Sequence, residues 1–152
     1  MKKVLFDTNI LVAGTIEGHQ EHKDCFPWML SVKQGQIQGF ISTHAIAEFY
    51  GVMTRLPLPH PPNPQHIYHA TTHNLAAFHA VDLKIEDYLK AIRIVATLNI
   101  TLGGIDHALI AQVALREKVD FLLTLTPQNF TGWQTNITIK TPDKHLLLAT
   151  VA

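Results

Sequence analysis

Short apolar runs alternate along this chain with stretches of helical periodicity. Lys3–Phe6 (KVLF) is a β-type run ending at Asp7, and a helical pattern follows from Asn9 to about Ile16. From His19 to Gln34, the positions Cys25, Phe26, Met29, Leu30 and Val32 form a mostly i, i+3, i+4 stripe that predicts a second helix. Pro27 inside it calls for a late start or a kink. Gly35 and Gly39 frame a turn into a strand at Gly39–Ser42. Thr43 to Leu56 predicts an amphipathic helix with Ala45, Phe49, Val52, Met53 and Leu56 on one face. The proline-rich run Pro57–Pro64 reads as a loop, and Gln65–Phe78 as a helix. A short strand at His79–Asp82 and a helix at Ile85–Leu98 follow. Gly103-Gly104 breaks the chain before a helix from about Ile105 to Lys118. Asp120–Thr124 reads as a buried strand, and Asn136–Lys140 as a last one that Thr141-Pro142 ends.

Strands that alternate with helices predict an α/β fold: a three-layer sandwich with a mainly parallel central sheet and helices on both faces. No repeat or low-complexity segment interrupts the pattern, so residues 1–152 are expected to form a single domain. Ligands in such folds gather beyond the carboxyl ends of the strands.

Composition narrows the classes. With 47% apolar and 16% charged residues, a packed core is expected and wholesale disorder is not. Cys25 is the only cysteine, so no internal disulfide can form. Asp7 interrupts the apolar N-terminal run, and no stretch reaches the roughly 18–20 apolar residues of a spanning helix. A soluble cytoplasmic protein is expected, with no membrane partner. Lys and Arg number 12 and so do Asp and Glu, so no global positive field attracts nucleic acid. The ten histidines lack the close pairing of a zinc signature, and most read as surface or capping residues.

Three acids stand where acids are costly. Asp7 directly follows an apolar strand, Glu48 borders the apolar stripe of its helix, and Asp106 shares a helical face with Leu109, Ile110, Val113 and Ala114. Each also has a plainer role open to it: helix N-capping for Asp7 and Asp106, and an ion pair with Arg55 for Glu48. Three carboxylates converging on one sheet edge would repel strongly, and a divalent cation removes the conflict. Hard oxygen ligands without a supporting Cys or His pair select Mg2+ or Mn2+ over Zn2+. Such a site activates water and neutralises phosphate, which is the chemistry of phosphodiester hydrolysis.

Four segments carry a resemblance: VLFDTNILV around Asp7, ISTHAIAEFYGVMTR around Glu48, GGIDHALIAQVALRE around Asp106, and DFLLTLTPQNF near the end. In this order and spacing, which covers Lys3 to about Ile139, the chain resembles the PIN domain and, within it, VapC-type toxins of type II toxin–antitoxin systems. The resemblance implies a metal-dependent endoribonuclease that cleaves single-stranded RNA with Mg2+ or Mn2+ and leaves a 3′-hydroxyl and a 5′-phosphate. It makes Asp7, Glu48 and Asp106 the metal-binding catalytic acids and gives Thr8, of the DTN signature with Asn9, a supporting role. First-turn capping is the alternative role for Thr8 and Asn9. The toxin reading also implies a small antitoxin protein that lays an apolar helix near the acids. A homodimer is expected from the aromatic residues Phe26, Trp28, Phe49 and Tyr50 on short helices.

The chain departs from the family pattern at Thr126, where members often carry a fourth acid or Asn, and at Asn129, where many carry Asp. Fewer acids put a second metal in doubt and leave Thr126 a supporting position. Asn9 stands where a haloacid dehalogenase phosphatase needs its second Asp, and the acidic pair of a receiver domain is missing. Two readings stay beside the toxin: a degenerate PIN domain that binds RNA or protein without cleaving, and a housekeeping RNA-processing nuclease.

Overall fold

The structure is a computed structural model that describes residues 1–57, 59–60, 62–132 and 136–152. Its elements run β1 (Lys3–Phe6), α1 (Thr8–Thr15), α2 (His22–Lys33), β2 (Gln38–Ser42), α3 (Thr43–Thr54), α4 (Pro64–Leu75), β3 (His79–Val81), α5 (Ile85–Thr97), α6 (Gly104–Glu117), β4 (Phe121–Leu123), β5 (Ile139–Lys140) and α7 (Lys144–Val151). A 3-10 turn at Pro127–Phe130 follows β4.

The five strands form one sheet in the order β3-β2-β1-β4-β5, and every pairing is parallel. β1 lies in the middle: Leu5 is registered with Phe40 on one side and with Leu122 on the other. Successive side chains of a strand face opposite ways. Val4 and Phe6 of β1, with Phe121 and Leu123 of β4, therefore enter the core built by α1, α2, α3 and α4, around Ile10, Trp28, Phe49 and Ile67. Leu5 and Leu122 enter the opposite core with Ile110 and Val113 of α6. α5 closes that side by packing Ala91 against Ala108, Leu109 and Ala111 of α6. Both faces of the sheet are covered, which is the expected three-layer α/β sandwich. No helix among the described residues is long and apolar enough to cross a membrane.

The structure departs from the sequence-based expectations at the ends of elements. α2 begins at His22, three residues later than expected, with Pro27 in its interior. Pro64 is not loop but the first residue of α4, where its missing N–H costs nothing, and Asn63 caps that helix by accepting from the Gln65 N–H. Leu58 and Pro61 of the expected loop lie outside the described residues. β5 has two residues instead of five. α7 was not expected at all. Its signal is a capping residue: Asp143 accepts from the Leu146 N–H at 2.8 Å ahead of an apolar run. Leu146, Leu147 and Val151 pack on the core that holds Trp28.

Candidate active site

The strand order turns at β1: the chain proceeds outward through β2 and β3 on one side, then through β4 and β5 on the other. Carboxyl ends flanking such a switch point leave a crevice that adjacent loops do not cover. Asp7 ends β1 there, and its N–H donates to the Leu123 carbonyl at the end of β4. A cleft of about 300 Å³ opens at this edge, lined by Asp7, Thr8, Asn9, His19, Glu48, His107, Thr126 and Asn129, with Val12 and Val52.

Asp7 occupies the N-cap position of α1, yet its carboxylate makes no capping bond. It is 4% exposed and accepts from Thr124 Oγ1 at 2.6 Å. Burial raises its pKa above the ordinary 3.8, and the Thr124 bond and nearby His107 only partly oppose this. Glu48 reaches the cleft from the second turn of α3, whose opposite stripe (Ala45, Phe49, Met53) is buried. It forms no ion pair with Arg55. It accepts instead from Thr8 Oγ1 at 2.8 Å. Burial raises its pKa too; the Thr8 bond opposes that rise, and the charges of Asp106 and Asp7 add to it.

Asp106 sits in the first turn of α6, behind Gly103 at φ +81° and Gly104, where a Cβ would meet Ile100 Cγ2 at 2.1 Å. Those two glycines let the chain turn tightly and aim the helix start at the sheet edge. The Asp106 carboxylate does not cap α6, and it stands beside the cleft rather than lining it. His44 Nε2 lies 2.8 Å from Asp106 Oδ1. His44 and Glu48 are four residues apart on α3, hence on one helical face.

Asn9 ties the two strand ends together. Its side-chain amide donates to Thr126 Oγ1 at 3.1 Å and to Thr124 Oγ1 at 3.3 Å, and its carbonyl accepts from the Leu125 N–H at 3.2 Å. Thr124 is fully buried and also accepts from the Thr126 N–H at 3.0 Å. It is the centre of the network, and the sequence reading passed over it. Its signal was the one that marked Asp7: a polar residue closing an apolar strand. Most of the histidines are surface residues as expected, but His19 and His107 line the cleft and His44 holds Asp106.

The structure thus brings Asp7, Thr8, Asn9, Glu48 and Thr126 into one cleft and leaves Asp106 at its edge. Among the described residues, no three His, Cys, Asp or Glu side chains form a ready-made metal cage. The donor chemistry nevertheless fits a hard cation that keeps most of its water, which needs only one or two carboxylates from the protein. Asp7 and Glu48 supply those, unpaired with any Lys or Arg among the described residues.

Comparison with solved structures finds VapBC2 from Rickettsia felis bound to a promoter DNA fragment (TM-score 0.66, 17% identity, covering 93% of this chain and 99% of that one). It also finds VapC20 from Mycobacterium tuberculosis, described as a sarcin-ricin loop cleaving toxin (TM-score 0.63, 12% identity, covering 78% and 86%). A toxin–antitoxin complex from Klebsiella pneumoniae is similar as well (TM-score 0.60, 20% identity, covering 93% and 98%). At these identities the likeness is one of fold. Comparison with curated protein sequences finds no match. The PIN domain family model matches residues 4–125, a span that holds β1 to β4 and all three acids, and the chain accordingly belongs to the PIN domain family.

Proposed function

We propose that this protein is a Mg2+- or Mn2+-dependent endoribonuclease and the toxin of a toxin–antitoxin pair. The observation that carries the reading is the pairing of a buried carboxylate, Asp7, with a half-buried one, Glu48, both with raised pKa values, in one open cleft at the switch point of a parallel sheet. Asp7 and Glu48 would hold the divalent cation, which would supply the Lewis acidity to activate water and offset phosphate charge, and Asp106 stands at the edge of that cleft. Thr8 holds Glu48, Thr124 holds Asp7, and Asn9 keeps Thr126 at the rim, so the acids keep their positions without using charge. The desolvation that raises both pKa values also strengthens the charge–dipole contacts made to a phosphate there.

Single-stranded RNA incubated with the purified protein and Mn2+ should be cut, and EDTA should stop the cutting. Asp7→Asn, which keeps shape and removes charge, should lower cleavage by at least about a hundredfold, the scale of losing a principal electrostatic group. Binding of RNA without cleavage by the wild type would favour a degenerate, non-catalytic domain, the reading that Thr126 and Asn129 support by replacing acids.

The antitoxin reading is supported by an apolar groove of about 510 Å³ between α3 and α4, lined by Ile46, Ala47, Tyr50 and Tyr68. Of the aromatics noted in the sequence, Trp28 and Phe49 are core, whereas Phe26 and Tyr50 are exposed. The homodimer reading is better served by α5, where Ile85, Leu89 and Ile92 lie exposed at i, i+4, i+7. Light scattering should return twice 17.0 kDa, and Leu89→Glu should return the monomer.

A further inference from the structure

The cleft has to hold a polyanion, yet no Lys or Arg is among the residues lining it. The chain as a whole carries no net charge to compensate. Hydrogen-bond donors must come from the other side chains of the lining, and two of these are imidazoles, His19 and His107. Each ring has one nitrogen engaged. The Glu21 N–H donates to His19 Nδ1 at 3.1 Å, so in the neutral ring the proton sits on Nε2. The Asn129 amide nitrogen can only donate, and it lies 3.3 Å from His107 Nε2, so in that ring the proton sits on Nδ1. Each imidazole therefore keeps one N–H without a hydrogen-bond partner among the described residues. Both rings are held in place. His19 stands in a tight turn in which its N–H donates to the Ile16 carbonyl and its carbonyl accepts from the His22 N–H. His107 rests edge-on against Phe130, with centroids 5.1 Å apart.

We propose that His19 and His107 are the donors that hold a phosphate group of single-stranded RNA in this cleft, a proposal that rests on the nuclease reading of the same site. Two fixed N–H groups beside two carboxylates grip the phosphate.

The test measures binding of a fluorescently labelled single-stranded oligoribonucleotide by anisotropy, in an Asp7→Asn background with Mn2+ so that the strand stays intact. His19→Phe and His107→Phe keep a ring and lose the donor; each should weaken binding about tenfold, the scale of a hydrogen bond to a charged group. His19→Gln and His107→Gln keep an N–H donor and should stay within about threefold of the parent. Equal binding by the Phe variants, equal losses in the Phe and Gln variants, or no binding by the parent would overturn the proposal. Binding that shows the Phe–Gln difference, in a protein whose native form leaves RNA uncut with Mn2+, would support the donors and reject the nuclease.

Discussion

Thr124 Oγ1 donates to Asp7 Oδ2 at 2.6 Å across 117 residues of chain, and this bond joins the end of β4 to the end of β1. Both residues are buried, so no water substitutes for the hydroxyl if it is removed. Thr124→Val keeps the shape and deletes the donor to Asp7 together with the acceptor used by the Thr126 N–H. The expected loss is about 1–3 kcal/mol of stability, read from urea unfolding, because a buried polar group is left unsatisfied. Thr124→Ser should recover most of it. A Thr124→Val protein as stable as wild type would remove the network from the account of the site.

The two raised acids set the pH dependence of the metal-free protein. Folded Asp7 and Glu48 hold their protons more tightly than the unfolded chain, whose ordinary values are 3.8 and 4.5. Above those values unfolding releases protons, so their contribution to stability is lost as pH rises through the folded values. Asp120 works the other way, since its bonds from Lys2 and from the Lys3 N–H lower its pKa. The difference between wild type and Asp7→Asn isolates the effect: in EDTA, Asn should be the more stable near pH 7, and the gap should close toward pH 4. Mn2+ should stabilise only the wild type appreciably, through binding to the folded state. A pH-independent gap would contradict this origin.

Asp106 Oδ1 is engaged by His44, so an ion taking that oxygen as a ligand competes with an imidazole. His44→Ala should therefore tighten Mn2+ binding several-fold in calorimetry, the worth of about one charge-assisted hydrogen bond. Weaker binding would mean that His44 orients the carboxylate toward the ion.

Thr126 lines the cleft and accepts from Asn9, but a neutral hydroxyl is a poor ligand beside carboxylates. Thr126→Ala should lower RNA cleavage far less than Asp106→Asn. Thr126→Asp should tighten Mn2+ binding by adding negative charge at the rim. Equal Mn2+ affinities for wild type and Thr126→Asp, measured by calorimetry, would mean that this position only leads the chain into Pro127.

Hydrophobic periodicity alone was enough to place β1, β2, α3, α5 and α6 to within two residues, because each buries a face whose period matches its backbone. It also marked Asp7, Glu48 and Asp106 as acids beside apolar stripes, since a charge at such a place stands out locally. Tertiary structure decided what those acids touch. The order β3-β2-β1-β4-β5 sets Asp7 against Thr124, and no local pattern encodes a pairing between residues 117 apart. The approach of α3 to α6 hands Asp106 to His44, and the turn before α2 brings His19 to the cleft. α7 escaped the sequence reading, and β5 is shorter than that reading made it, for a related reason: both are short, and their places depend on surfaces that the rest of the chain builds first. A strand or helix is specified by its neighbours in sequence, and a site by its neighbours in space.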